Sequence, residues 1–289
     1  MHANLIFQKA LNISRDRMNP CGNDAVMDPR IVYILPSYRN FEYARACLLS
    51  LHRHSSFVLA IAIDDASPDW NVHPDWWQGT GGPVSTYRFS KRGGLTRSWN
   101  AGMLLAQQFR PDYIVCGNND VLFSPGWWQG LCHALDVGYA IAGPVSNAPG
   151  VTAPNGRQHV RSYLPGYAAS DDPASITQTA RILDTWYRGK MVESAVNGFF
   201  MMAKSDTWRE HGYCRGSLFP AFIRKLSSTR PNRTPGMTGQ EDWIETNSRK
   251  KGLRSCVVPS SFIFHYRSVS RGDAYVRDDW TRMAMASKA

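Results

Sequence analysis

The chain has 289 residues, a hydrophobic fraction of 43%, and 33 Lys and Arg against 23 Asp and Glu, for a formal net charge of +10. That length allows one large α/β domain or two small ones with a sizeable core. No apolar stretch approaches membrane-spanning length. The six cysteines form no CxxC pair, which argues against a disulfide framework and favours a reducing, cytoplasmic compartment. Leu5-Ile6-Phe7 is too short for the apolar core of a signal peptide, so residues 1–29 read as an irregular arm. After Ala203 there are 16 Lys and Arg against 8 Asp and Glu. Such a patch suits a polyanion, an anionic membrane face or a nucleotide diphosphate, and equally a solvated surface. The ten Trp are expected in the core, with a sugar-binding groove as the alternative.

Ile31 to Leu35 is a β-branched strand that ends in a loop at Pro36-Ser37-Tyr38. Ala44, Cys47, Leu48 and Leu51 recur at i, i+3, i+4, i+7, one face of a helix, and both Cys47 and Cys116 fall in apolar patterns that predict buried thiols. Phe57 to Ile63 is a second strand running into Asp64-Asp65-Ala66-Ser67-Pro68, and Val84 to Phe89 a third. Lys91-Arg92-Gly93-Gly94 forms a basic turn before a helix whose stripe is Leu95, Trp99, Met103 and Ala106. Tyr113 to Cys116 is a fourth strand, suited to burial on both faces.

Gly117 ends that run, and Asn118-Asn119-Asp120 follow. A carboxylate flanked by amides at a strand end suits a hard cation with oxygen ligands, which can bridge a diphosphate. It also suits a polar turn in which the Asn side chains bond the backbone. Ser124-Pro125 predicts a helix start, with Trp127, Trp128 and Leu131 on that helix. Tyr139 to Ala142 is a candidate strand, and Pro149 to Asp172 a long loop. Apolar character resumes over Glu193 to Ala203. Leu226 to Gly239 reads as a lid or acceptor loop. Gln240-Glu241-Asp242-Trp243 opens a helix, and Cys256 to Pro259 and Phe262 to His265 are two short apolar segments. The alternation of strands and helices predicts a mostly parallel, helix-covered sheet, whose ligands bind outside the carboxyl ends of the strands.

Taken in order, Pro36-Ser37-Tyr38, the Asp64-Asp65 strand end, Gly93-Gly94-Leu95 with Asn100-Ala101-Gly102, Asn118-Asn119-Asp120, and Glu241-Asp242 with His265 resemble the glycosyltransferase family 2 enzymes of GT-A fold, over roughly residues 30 to 270. The resemblance implies an α/β, Rossmann-like sheet flanked by helices with a smaller antiparallel, acceptor-side region. It implies one domain over 30–289, with a nucleotide half at about 30–145 and an acceptor half at 146–289. It further implies inverting transfer of a sugar from a nucleotide diphosphate, assisted by Mn2+ or Mg2+.

Carried over by position, Pro36, Ser37, Tyr38, Asp64, Arg92, Asn100 and Asn119 fall on the donor side. Asp64 matches the acid that contacts the nucleobase, and a carboxylate accepting an imide N–H favours UDP or dTDP; as a residue it also fits a cap of the following loop. Asp65 reads equally as a solvated neighbour, and Arg92 as a surface cation. Asp120 matches the last carboxylate of the family's Asp-x-Asp metal motif, with Asn118 in place of the first. His265 matches a histidine that joins the metal or diphosphate, against a hydrogen-bonded core role. Asp242 matches the general base, while Glu241 suits the helix dipole.

Two other classes compete. A catalytically inactive nucleotide-sugar or polyanion binder is disfavoured by the joint presence of Asp64, Asp120 and Asp242. A nucleotidyltransferase would place a glycine-rich loop after the first strand, and Pro36 to Asn40 has no glycine. The acceptor is open among a glycan, a lipid-linked glycan, a protein, and DNA carrying a hydroxylated base.

Overall fold

The structure is a computed structural model that describes residues 28–149, 157–211, 244 and 248–266. Its strands are β1 (Ile31–Ser37), β2 (Leu59–Asp64), β3 (Val84–Arg88), β4 (Tyr113–Gly117), β5 (Val121–Phe123), β6 (Ile141–Val145), β7 (Val192–Glu193), β8 (Phe200–Lys204) and β9 (Ser255–His265). The helices are α1 (Phe41–His54), α2 (Leu95–Gln107), α3 (Gln129–Asp136), α4 (Pro173–Tyr187) and α5 (Ser205–His211). The sheet order is β3-β2-β1-β4-β8-β6-β9-β5, with β7 paired to β9. β3, β2, β1 and β4 run parallel. β8 enters antiparallel between β4 and β6, and β5 pairs antiparallel with β9.

Period-2 alternation sorts the strands onto two cores. Ile31, Tyr33 and Leu35 of β1 pack with Ala44, Cys47, Leu48 and Leu51 of α1 and with Trp127 and Leu131. Val32 and Ile34 face the other way, onto Trp99, Met103 and Ala106 of α2 and Trp208 of α5. α2 lies close to the sheet because Gly102 has no side chain: a Cβ there would collide with Ile34 Cγ2. Trp99, Trp127 and Trp208 are fully buried, so these indoles serve the core, and each N–H finds an acceptor, on Gly117, Ser55 and Ile114 respectively. A third core sets Ile176, Ala180 and Leu183 of α4 against Val257, Phe262 and Phe264 of β9. Cys47 and Cys116 are buried thiols, as predicted, and burial pushes Cys47 up to about 12.

Several boundaries differ from the sequence reading. Pro36 and Ser37 belong to β1; the lost N–H costs little because β4 pairs only as far as Ile34. Val121 to Phe123 is a strand, and the following helix starts at Gln129, not at Pro125. Gly126, with φ 72°, breaks any helix from Pro125. The candidate strand near Tyr139 is β6. α4 went unread, although Asp172 caps Ser175 N at 2.9 Å and Pro173 sits in its first turn. The two apolar C-terminal segments are one strand, β9, whose register against β6 shifts between Val258 and Phe262. The proposed lid at Leu226 to Gly239, Glu241 and Asp242, and most of the N-terminal arm lie outside the described residues.

Candidate active site

β1 lies between β2, reached by a crossover to one side, and β4, reached from the other. This reversal of strand order opens a crevice at the carboxyl ends of β1 and β4, where α/β sheets place ligands. Asn118, Asn119 and Asp120 form the turn after β4. Tyr33 rises from β1 to hold it: the phenol donates to the Asn118 carbonyl at 2.6 Å. Burial holds that phenol well above its ordinary titration range, so it stays a donor. A Cβ on Gly117 would strike the Tyr33 hydroxyl, so the anchor requires glycine there.

The β5–β9 ladder brings the other half of the site. Val121 pairs with His265, and Tyr266 N donates to the Asp120 carbonyl at 2.9 Å. His265 Nε2 then lies 3.2 Å from Asp120 Oδ1 and 3.3 Å from Asn118 Nδ2. His265 stacks on Phe199, centroids 5.1 Å apart. Its backbone N–H donates to Asn147 Oδ1 at 2.8 Å, and its Nδ1 sits 2.7 Å from the Ala148 carbonyl. That carbonyl accepts only, so Nδ1 carries a proton and, in the neutral ring, Nε2 turns a lone pair toward Asp120. A carboxylate oxygen and an imidazole lone pair at 3.2 Å repel unless a proton or a cation lies between them. The donor set, one carboxylate and one imidazole fixed by a carbonyl behind it, fits a divalent cation. Among the described residues no group of three His, Cys, Asp or Glu gathers for a metal, so remaining ligands would come from oxygens of a bound substrate or from water.

On the opposite side of the crevice Asp64 ends β2. Its carboxylate accepts from Ser67 N at 3.1 Å and from the Ser67 hydroxyl, and pairs with Arg88 Nε at 3.1 Å. The loop-capping role is therefore present. Ser67 Oγ also accepts Arg39 N at 2.8 Å, which ties the β1 loop to the β2 loop. Arg39, Asn40 and Ala66 all have left-handed backbone, φ 58°, 54° and 62°; this strain gathers at the crevice, as it does at functional sites. Tyr38 is half-buried there, with the Arg92 guanidinium 4.0 Å from its ring centre. Asn100 lies on the buried side of α2 and Asn119 in the β4–β5 turn; Asn100 Oδ1 and Asn119 Nδ2 are buried with no hydrogen-bond partner among the described residues.

The structure thus brings together Asp120 with His265, and Tyr38 with Arg92. It does not join Asp64 to the cation pair. Arg88, Ser67, Asn147 and Phe199 were not picked out from sequence. The Asp-x-x-Ser spacing of residues 64–67 carries a readable turn signal, whereas Asn147 and Phe199 reach His265 only through the fold.

The mostly parallel, helix-flanked sheet with its crevice at the switch point is the GT-A type of fold, that of a class of glycosyltransferases. The chain belongs to the family described as Glycosyl transferase family 2, which matches residues 33–207. Among solved structures it is similar to mannosyltransferase PcManGT from Pyrobaculum calidifontis, in complex with GDP-Man and Mn2+, at a TM-score of 0.50 and 12% identity. The match covers 93% of this chain and 66% of that one; at such identity it speaks to the fold. No curated protein matches the sequence. No helix among the described residues is long and apolar enough to cross a membrane.

Proposed function

We propose that this enzyme is an inverting glycosyltransferase that moves a sugar from a UDP- or dTDP-linked donor to an acceptor hydroxyl, with a glycan as the first acceptor class. The observation that carries the reading is the buried Asp120–His265 pair, 3.2 Å apart at the switch point. Asp120 and His265 would hold the divalent cation. Bound there, it supplies Lewis-acid stabilisation of charge on the leaving diphosphate. The imidazole favours Mn2+, since Mg2+ prefers oxygen ligands throughout. Pro36, Ser37, Tyr38 and Arg92 line the donor side, and the unpartnered Asn100 Oδ1 and Asn119 Nδ2 offer an acceptor and a donor to it. Asp64 receives three protein donors, from Ser67 and Arg88, out of about four lone-pair positions on a carboxylate. The fourth is the position a nucleobase N–H would take, and the preference for uracil or thymine rests on the motif match alone.

Asp242 is the proposed base. It takes the proton of the acceptor hydroxyl as that oxygen bonds to the anomeric carbon and the carbon–diphosphate oxygen bond breaks, which inverts the centre. Its support is the motif order and the helical backbone at Ile244 and Ser248–Lys250 just beyond it. The test is calorimetry of UDP, dTDP, GDP and ADP with Mn2+, then mass and anomeric analysis of products from glycan, lipid-linked, protein and hydroxymethylated-DNA acceptors. Equal affinity for all four nucleotides would sink the base preference, and GDP is the pointed competitor because PcManGT was solved with GDP-Man. Asp242→Asn should lower turnover by about 10²–10⁴-fold with donor binding kept. A product of retained configuration would defeat the single displacement.

A further inference from the structure

Asp65, next to Asp64, is not a solvated neighbour: it is 4% exposed and turned to the opposite partner. Its carboxylate accepts Gly93 N at 2.9 Å and Gly94 N at 2.6 Å, at the start of α2, and pairs with Arg97. Arg97 is clasped in turn. Its guanidinium lies 3.7 Å from the Phe89 ring centre and donates to the Lys91 carbonyl. The four-residue turn Lys91–Gly94 is thereby held at both ends. The clamp needs both glycines, because a Cβ on Gly93 would meet Arg97 and Gly94 has φ 88°. What the turn presents outward is Lys91 and Arg92, both exposed, with Arg92 stacked on Tyr38.

We propose that Asp65 is a positioning residue for donor binding, acting through Arg92. It touches neither the donor nor the reacting atoms. It fixes a glycine-containing turn that would otherwise sample many conformations, so that Arg92 is already seated on Tyr38 at the rim when the nucleotide arrives and no ordering cost falls on binding. This rests on the reading of the crevice as a donor site.

The experiment is a cycle of Asp65→Asn and Arg92→Ala. Asp65→Asn should raise the donor KM about tenfold, the size expected for ordering a side chain, and leave kcat within about twofold. In the Arg92→Ala background it should add less than about twofold, because the coupled effect is already gone. An equal further loss there, or a fall in kcat at unchanged KM, would overturn the role. Arg97→Gln removes the clamp from its other side and should repeat the Asp65→Asn result, which guards against a variant that merely folds poorly. Amide exchange at Gly93 and Gly94, in protein without nucleotide, should quicken in both variants; unchanged exchange refutes the clamp. Faster exchange together with no binding of UDP, dTDP, GDP or ADP to the wild type overturns the donor role through failure of the donor reading, and leaves only the clamp.

Discussion

At the scale of single residues, the site turns on what stands between Asp120 and His265. Asp120→Asn removes the only carboxylate of the pair and should lower turnover on the order of 10³-fold, since Lewis-acid stabilisation is worth several kcal/mol. The folded protein should persist, because Asp120 contributes its backbone carbonyl to Tyr266 whichever side chain it carries. His265→Ala separates the cations: nucleotide-dependent Mn2+ affinity should drop by about tenfold or more, as loss of even outer partners of a ligand costs 10–100-fold, while Mg2+ affinity changes less. Calorimetry of each cation with UDP present checks both. Equal losses for Mn2+ and Mg2+ would take the imidazole out of the coordination. The residues around the pair show where sequence reasoning stops. Asp120 and His265 stand out through residue type and motif order. Asn147, Ala148 and Phe199, which fix the imidazole, have no local signature, since their roles arise only from strand pairing across the sheet.

At the scale of elements, legibility followed period and length. β1, β2, β4, α1 and α2 carry continuous apolar runs or a 3.6-residue stripe, and each was read close to its bounds. β5 has three residues, too few for a pattern to form, so nothing marks it as a strand between Asp120 and Ser124. α4 has a clear stripe in Ile176, Ala180 and Leu183, yet the polar stretch ahead of it masked its capping Asp172. β9 was split because its bulge over Pro259 to Ser261 mimics a turn. Contact between α2 and β1 yields a stability test. Gly102→Ala should gain about 1 kcal/mol in helix propensity and lose about 1–3 kcal/mol to overpacking against Ile34. Net destabilisation, seen as a lower urea midpoint at unchanged m-value, is the expected outcome; a raised midpoint would show that α2 can retreat from the sheet freely.

For the molecule as a whole, two buried histidines contribute to the acid limb of stability, alongside the less buried His54, which burial also lowers. Burial lowers His52, which sits 3.2 Å from the Thr80 carbonyl, and burial with the nearby Arg161 charge lowers His159 to about 3. Both titrate higher when unfolded, near 6.5. The unfolded chain therefore binds more protons below that pH, so their stabilisation is complete above about pH 6.5 and is lost as pH falls, for His159 down to about 3. For His159 the slope approaches about 1.4 kcal/mol per pH unit between those limits. Urea midpoints from pH 7 to 4.5 should fall, and His159→Asn should flatten that fall; an unaltered slope would assign the acid limb elsewhere.

The position of β9 carries one more consequence, for the order of events. Asn118 and His265 meet across 147 residues of chain, and β9 takes its place between β6 and β5 after every other described strand has been made. A slip of one residue in its pairing with β5 would turn His265 to the far face. Such distant closure is the slowest kind of contact to form. The proposed cation site therefore cannot form before β9 has docked, even in a collapsed precursor that already holds β1 to β4. A polypeptide with its donor-side loops assembled and its last strand still loose would keep a crevice without the Asp120–His265 pair. Correct docking of the final strand is thus the event that completes the proposed site.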